Sequence, residues 1–151
     1  VRAAGEHASD VGIVLALKPH TGNTATAKHL ARLLPEIGVH SVQACYDPGN
    51  VHYYEGVAPA EDFPLIAERT FQIVAKDHRG ERAENDFPIP GEGDVDFPRI
   101  FRTARQSGFS GPVVVERVNG TGGPLTAEEI DGLILKARTN LTRLLQESRL
   151  K

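Results

Sequence analysis

The chain has 151 residues, with 17 Lys and Arg against 20 Asp and Glu, one Cys, no Met and no Trp. That length predicts a single unit over residues 1–151 with enough chain for a core of its own. A net charge of −3 without a basic stretch argues against nucleic acid as a partner. One Cys excludes an internal disulfide framework, and no apolar run approaches the ~18 residues of a membrane span. With no export signal in view, a cytoplasmic location is expected. The chain opens on Val1 and contains no Met, which reads as a piece of a longer polypeptide.

In chain order, residues 1–9 read as the end of a helix. Four near-continuous apolar runs read as buried parallel strands: 11–18 (VGIVLALK), 40–47 (HSVQACYD), 70–77 (TFQIVAKD) and 111–118 (GPVVVERV). Helical patterns alternate with them. The first covers 24–34 and stops at Gly38, with Asn23 or Thr24 as its expected cap. The second covers 59–69 and opens on Pro59. The third covers 97–107, and the last covers 127–148 behind Thr126 and Glu129, which have capping-box spacing. A helix followed by four β-α pairs demands a parallel sheet with right-handed crossovers. Two loops are long, 48–58 and 78–96, and both follow strand C-terminal ends, where α/β proteins keep their sites.

Each strand pattern ends on charge: Lys18, Asp47, Lys76 with Asp77, and Glu116. A parallel sheet sends those ends the same way, so the residues converge on one mouth. Taken singly, each is an ordinary solvated rim charge; four in order point to a site. His20, Asn50, His52 and His78 lie around the same mouth, and each alone reads as a surface His or a turn Asn. Asp47-Pro-Gly-Asn50 is a turn by composition. Gly91-Glu-Gly93 is too short a motif to indicate phosphate binding. Cys45, inside an apolar strand, reads as a buried, inert thiol.

The segments LKPHTG (17–22), CYDPGNVHYYEG (45–56), IVAKD (73–77), IPGEGDVDFPRIF (89–101) and GFSGPVVVERVNG (108–120) resemble the xylose isomerase-like TIM barrels. These form the sugar phosphate isomerase/epimerase group that also includes the AP-endonuclease family. The resemblance places the strands as the fifth to eighth of a (β/α)8 barrel, its C-terminal half. A whole barrel takes about 250 residues, so an N-terminal half, on the same polypeptide or another chain, is expected to complete it. A symmetric pair of half barrels is the other solution.

The resemblance also implies chemistry. The family holds a divalent metal (Mn, Mg or Zn) on Glu, Asp, His and Glu at strand ends and moves a proton on a keto or hydroxy sugar or cyclitol. Position by position, Asp47 and Glu116 are the remnant ligands, while Lys18 and Val74 occupy the other two places. An ammonium binds no metal and Val has no lone pair. The expectation is a metal-free Lys18–Asp47–Glu116 cluster, with Glu116 as general base and Lys18 polarising a carbonyl or forming a Schiff base. Lys76, Asp77, His20 and Asn50 are the expected substrate contacts. Two further readings stand beside this one: a pseudoenzyme or assembly subunit that keeps only the fold, and a flavodoxin-like FMN carrier suggested by Thr21-Gly-Asn-Thr24.

Overall fold

A computed structural model describes residues 1–148. The last three residues of the unit expected over 1–151 lie outside the described residues. Helix α1 (Arg2–Asp10) is followed by β1 (Leu15–Leu17), α2 (Ala27–Ile37), β2 (Val42–Tyr46), the short turns α3 (Pro48–Asn50) and α4 (Pro59–Asp62), β3 (Thr70–Ala75), α5 (Phe97–Gln106), β4 (Val113–Val115) and α6 (Ala127–Glu147). The four strands are parallel and lie in the order β1-β2-β3-β4. Sequential order is the arrangement of a barrel wall. A flavodoxin sheet reverses direction at a switch point, so the FMN-carrier reading is overturned.

The sheet has two unlike faces because side chains alternate. Leu15, Leu17, Val42, Ala44, Tyr46, Ile73, Ala75 and Val113 join the core with α2 and α5, among them Leu30, Leu34, Ile100 and Phe101. Ala16, Gln43, Val74 and Val114 alternate with them on the opposite face, where Ala16 and Val114 are exposed. Each outer strand has a single neighbour.

Several elements are shorter than their patterns. Residues 11–14 close α1 rather than extend β1: Val11 N donates to Ala8 O, Gly12 N to Ser9 O and Ile13 N to Ala8 O. The helix expected over 59–69 breaks after Asp62 into two 3-10 turns, Phe63–Leu65 and Ala67–Arg69. Pro64 explains the break, since it carries no N–H and its ring crowds the preceding turn. Helix α2 starts at Ala27, and neither Asn23 nor Thr24 caps it. Its N-terminus is satisfied from across the fold, with Asp62 accepting from Ala27 N at 2.7 Å. Tyr46 OH donates to the same carboxylate at 3.2 Å. The Thr126–Glu129 capping box of α6 forms as expected. Apolar side chains of α6 stay uncovered, with Ile134 and Leu135 55% and 65% exposed.

Candidate active site

Lys18, Asp47, Lys76 and Glu116 are each the first residue after β1, β2, β3 and β4. The parallel register brings all four together. Val74 pairs with Val114, so two residues on, Lys76 and Glu116 meet on the same face. Lys76 Nζ lies 2.8 Å from Glu116 Oε1, 2.7 Å from Asn50 Oδ1 and 3.6 Å from Asp47 Oδ2. Lys18 Nζ lies 3.0 Å from Asp47 Oδ2 and in short contact with Glu116 Oε2. Two cations and two anions therefore interleave, with each lysine touching both carboxylates.

The two lysines differ. Lys76 is buried, and its three N–H bonds face three oxygens. Lys18 has two acidic partners for three donors and a side chain 32% exposed. One Lys18 N–H is thus turned to the opening.

Asn50 ties the cluster to the backbone. Its amide nitrogen donates to Pro19 O at 2.7 Å, and its own N–H donates to Asp47 Oδ1 at 2.9 Å. The Asp47-Pro-Gly-Asn50 turn packs tightly enough that a Cβ on Gly49 would lie 2.6 Å from Lys76 O. Only glycine allows that approach. Asp47 Oδ2 is buried without a hydrogen bond and is held by charge alone.

The charges respond to these surroundings. Burial pushes the Asp47 carboxyl up, against the pull of Lys76, the Asn50 N–H and Lys18. Burial also opposes the Lys18 charge, but Glu116 and Asp47 outweigh it and hold the ammonium above the ordinary lysine range. Desolvation likewise works against the Glu116 charge, yet its two lysines keep the carboxyl below the usual range. Lys18 is therefore cationic and Glu116 anionic near neutral pH.

Asp77 points elsewhere. Its carboxylate is fully buried and accepts from the backbone N–H groups of His78, Gly91, Gly93 and Val95 at 2.8–3.1 Å. The Gly91-Glu-Gly93 segment thus wraps an anion supplied by the chain itself. Asp77 anchors the 78–96 loop rather than facing the cluster. His20 also lies apart, exposed, with Nε2 3.1 Å from Tyr54 OH. Cys45 is buried beneath the site, and its thiol is pushed up to about 11, mainly by burial.

Sequence reasoning missed a second layer. His78 is fully buried; its Nε2 lies 2.6 Å from Glu84 O and its Nδ1 2.8 Å from His52 Nδ1. Phe87 packs against both His78 and Tyr53. The Phe87 ring also receives Lys76 Nζ at 5.3 Å and the Arg117 guanidinium at 4.1 Å. Arg117 has φ +60, a left-handed conformation costing about 1 kcal/mol for a residue with a Cβ. Arg117 follows Glu116 directly, the only sequence hint of its place. Phe87 comes from mid-loop with no periodicity to mark it.

Four parallel strands in sequential order, half the number of a (β/α)8 wall, with charged side chains gathered at their C-terminal ends, define an α/β protein of the barrel class. Residues 1–137 match the xylose isomerase-like TIM barrel family, and the chain belongs to it. An inosose dehydratase from Lacticaseibacillus casei is 26% identical over 128 residues, covering 74% of this chain and 43% of that protein. A xylose isomerase domain protein from Alicyclobacillus acidocaldarius superposes with a TM-score of 0.78 at 20% identity, over 99% of this chain and 56% of the other. A xylose isomerase-like barrel from Mycobacterium smegmatis in complex with magnesium gives 0.71 at 22% identity, over 98% and 48%. The chain spans about half the length of the relatives it matches.

Proposed function

We propose that this chain carries the charged half of a barrel enzyme that moves a proton beside a carbonyl in a keto sugar or cyclitol, as in an isomerisation, an epimerisation or a dehydration. The observation that carries the reading is the placement of Lys18 Nζ on both Asp47 and Glu116. The donor set does not fit a divalent ion. An ammonium stands between the two carboxylates, and Val74 at the remaining family position offers no lone pair. In this reading Lys18 replaces the ion as the fixed positive charge of the site.

The chemistry then rests on side chains. Lys18 donates its open N–H to the substrate carbonyl oxygen. Glu116 takes the proton from the adjacent carbon, and the C–H electrons move into an enolate whose oxygen Lys18 stabilises. Return of the proton by Glu116 to the former carbonyl carbon, with the proton of the neighbouring hydroxyl passing to the enolate oxygen, isomerises; delivery of a proton to the same carbon by a water on the opposite face epimerises; and departure of a β-hydroxyl as water, with the proton that Glu116 took, dehydrates. A charged Lys18 is no nucleophile, so polarisation is favoured over a Schiff base. Lys76 and Asn50 position Glu116. His20 stays a rim contact, and Asp77 acts only through the loop it anchors.

The outer edges of β1 and β4, unpaired among the described residues, the exposed Ala16 and Val114 face and the uncovered apolar side chains of α6 support completion by a complementary set of β-α units. The alternative of an assembly subunit without catalysis shares that surface but has no use for the open Lys18 N–H. The test is exchange of the carbon-bound proton of an inosose in deuterated water with EDTA present. Exchange that Glu116→Gln abolishes supports the reading; exchange only on added Mn2+ or Mg2+ overturns the metal-free site.

A further inference from the structure

The two lysines of the cluster are balanced by two carboxylates. Arg117 is not balanced: among the described residues it makes no ion pair. Among the described residues its side chain makes one hydrogen bond, from Nη1 to the neutral Asn85 Oδ1 at 3.3 Å. In an extended continuation of β4 it would point away from the face that Glu116 uses. The left-handed turn at Arg117 breaks that alternation and lays the guanidinium on Phe87, whose ring also meets Lys76 Nζ. The group is thereby held against the ring, while among the described residues most of its N–H bonds have no acceptor. Arg117 also lines a cavity of about 450 Å3 between β4 and α6 whose other polar lining is Arg138 and Thr142, without a carboxylate.

We propose that Arg117 is a specificity-determining residue that selects a polyol bearing an anionic group, a carboxylate or a phosphate, over a neutral one. The inference rests on the reading of the Lys18–Asp47–Lys76–Glu116 cluster as a polyol site. The hydroxyl-bearing end of the ligand meets that cluster, and the anionic group meets the guanidinium, whose paired N–H donors match either oxyanion.

The test is a titration of the full chain, followed by NMR at low ionic strength, with D-glucose, D-glucuronate, D-glucose 6-phosphate and inorganic phosphate. Tighter binding of glucuronate or glucose 6-phosphate than of glucose, by about tenfold or more, is expected. Arg117→Gln brings that ratio to about one, and Arg117→Lys retains part of it. The two acidic sugars, ranked against each other, decide between carboxylate and phosphate. Arg117→Gly removes the selectivity and also raises the melting temperature, because glycine accepts the left-handed turn. A fall in melting temperature would make Arg117 a prop for Phe87 and overturn the proposal. Equal binding of glucose and the acids overturns it while leaving the polyol site intact; inorganic phosphate binding as tightly as the sugar phosphate overturns it because the hydroxyls then add nothing. No binding of any sugar sinks the polyol site itself.

Discussion

His52 Nδ1 and His78 Nδ1 lie 2.8 Å apart, and one proton bridges them. The carbonyl of Glu84 can only accept, so His78 Nε2 carries a hydrogen. His78 Nδ1 is then the acceptor, His52 Nδ1 the donor, and His52 Nε2 the unprotonated atom. The pair fastens the turn after β2 to the loop that bears Phe87.

The tautomers are therefore fixed in advance. Nitrogen-15 NMR of the imidazoles is expected to show His78 as the Nε2–H form and His52 as the Nδ1–H form at neutral pH. The reverse assignment would keep the bond between the two rings but would mean that His78 Nε2 does not donate to Glu84 O.

Burial and the neighbouring His78 hold His52 below the ordinary value of 6.5, against the attraction of Asp94, Asp77 and Glu81. Below about pH 6.5 the unfolded chain then binds more protons at this residue than the folded one. The contribution present above that pH is lost as the pH falls through the lower folded value. Urea midpoints should drop over this window in the wild type and flatten in His52→Gln. Glu116, also lowered on folding, adds a further loss below its ordinary 4.5 as its carboxylate is protonated.

The lysines should separate in their effect on stability. Lys76→Met removes a buried cation from two carboxylates and should cost about 3 kcal/mol in urea unfolding. Lys18→Met removes a partly exposed one and should cost about 1 kcal/mol. Equal costs would contradict the burial difference between them.

Asp77→Ala would strand four backbone N–H groups of the 78–96 loop. The expected loss is about 3 kcal/mol, read by denaturant unfolding. Faster hydrogen exchange at Gly91, Gly93 and Val95 should accompany it. A stability loss without faster exchange at those amides would remove Asp77 from the role of anchor.

The combined substitution Lys18→Glu and Val74→His should convert the cluster into a divalent site. Titration with Mn2+ followed by electron paramagnetic resonance should detect one bound ion in the double variant and none in the wild type. Stoichiometric Mn2+ on wild-type Asp47 and Glu116 would end the case for Lys18 as the ion's substitute.

The class of fold and the convergence of Lys18, Asp47, Lys76 and Glu116 were legible because both follow from period and direction. Apolar runs mark strands, parallel strands share an exit, and the charge after each run lands there. Legibility failed where the determining contact is remote in sequence. Nothing local tells that Asp62 rather than Asn23 or Thr24 would satisfy α2, or that Asp77 would turn into its own loop. The same holds for His52 and His78, which are 26 residues apart and read singly as surface histidines.

The sheet order has a bearing on how the molecule is made. Each strand after β1 pairs with the one just before it in the chain, so contacts across the sheet close over short stretches of polypeptide. A nascent chain leaving the ribosome can dock each new strand on the last without waiting for its C-terminus, and the charged mouth is assembled only when Glu116, the final member, has emerged.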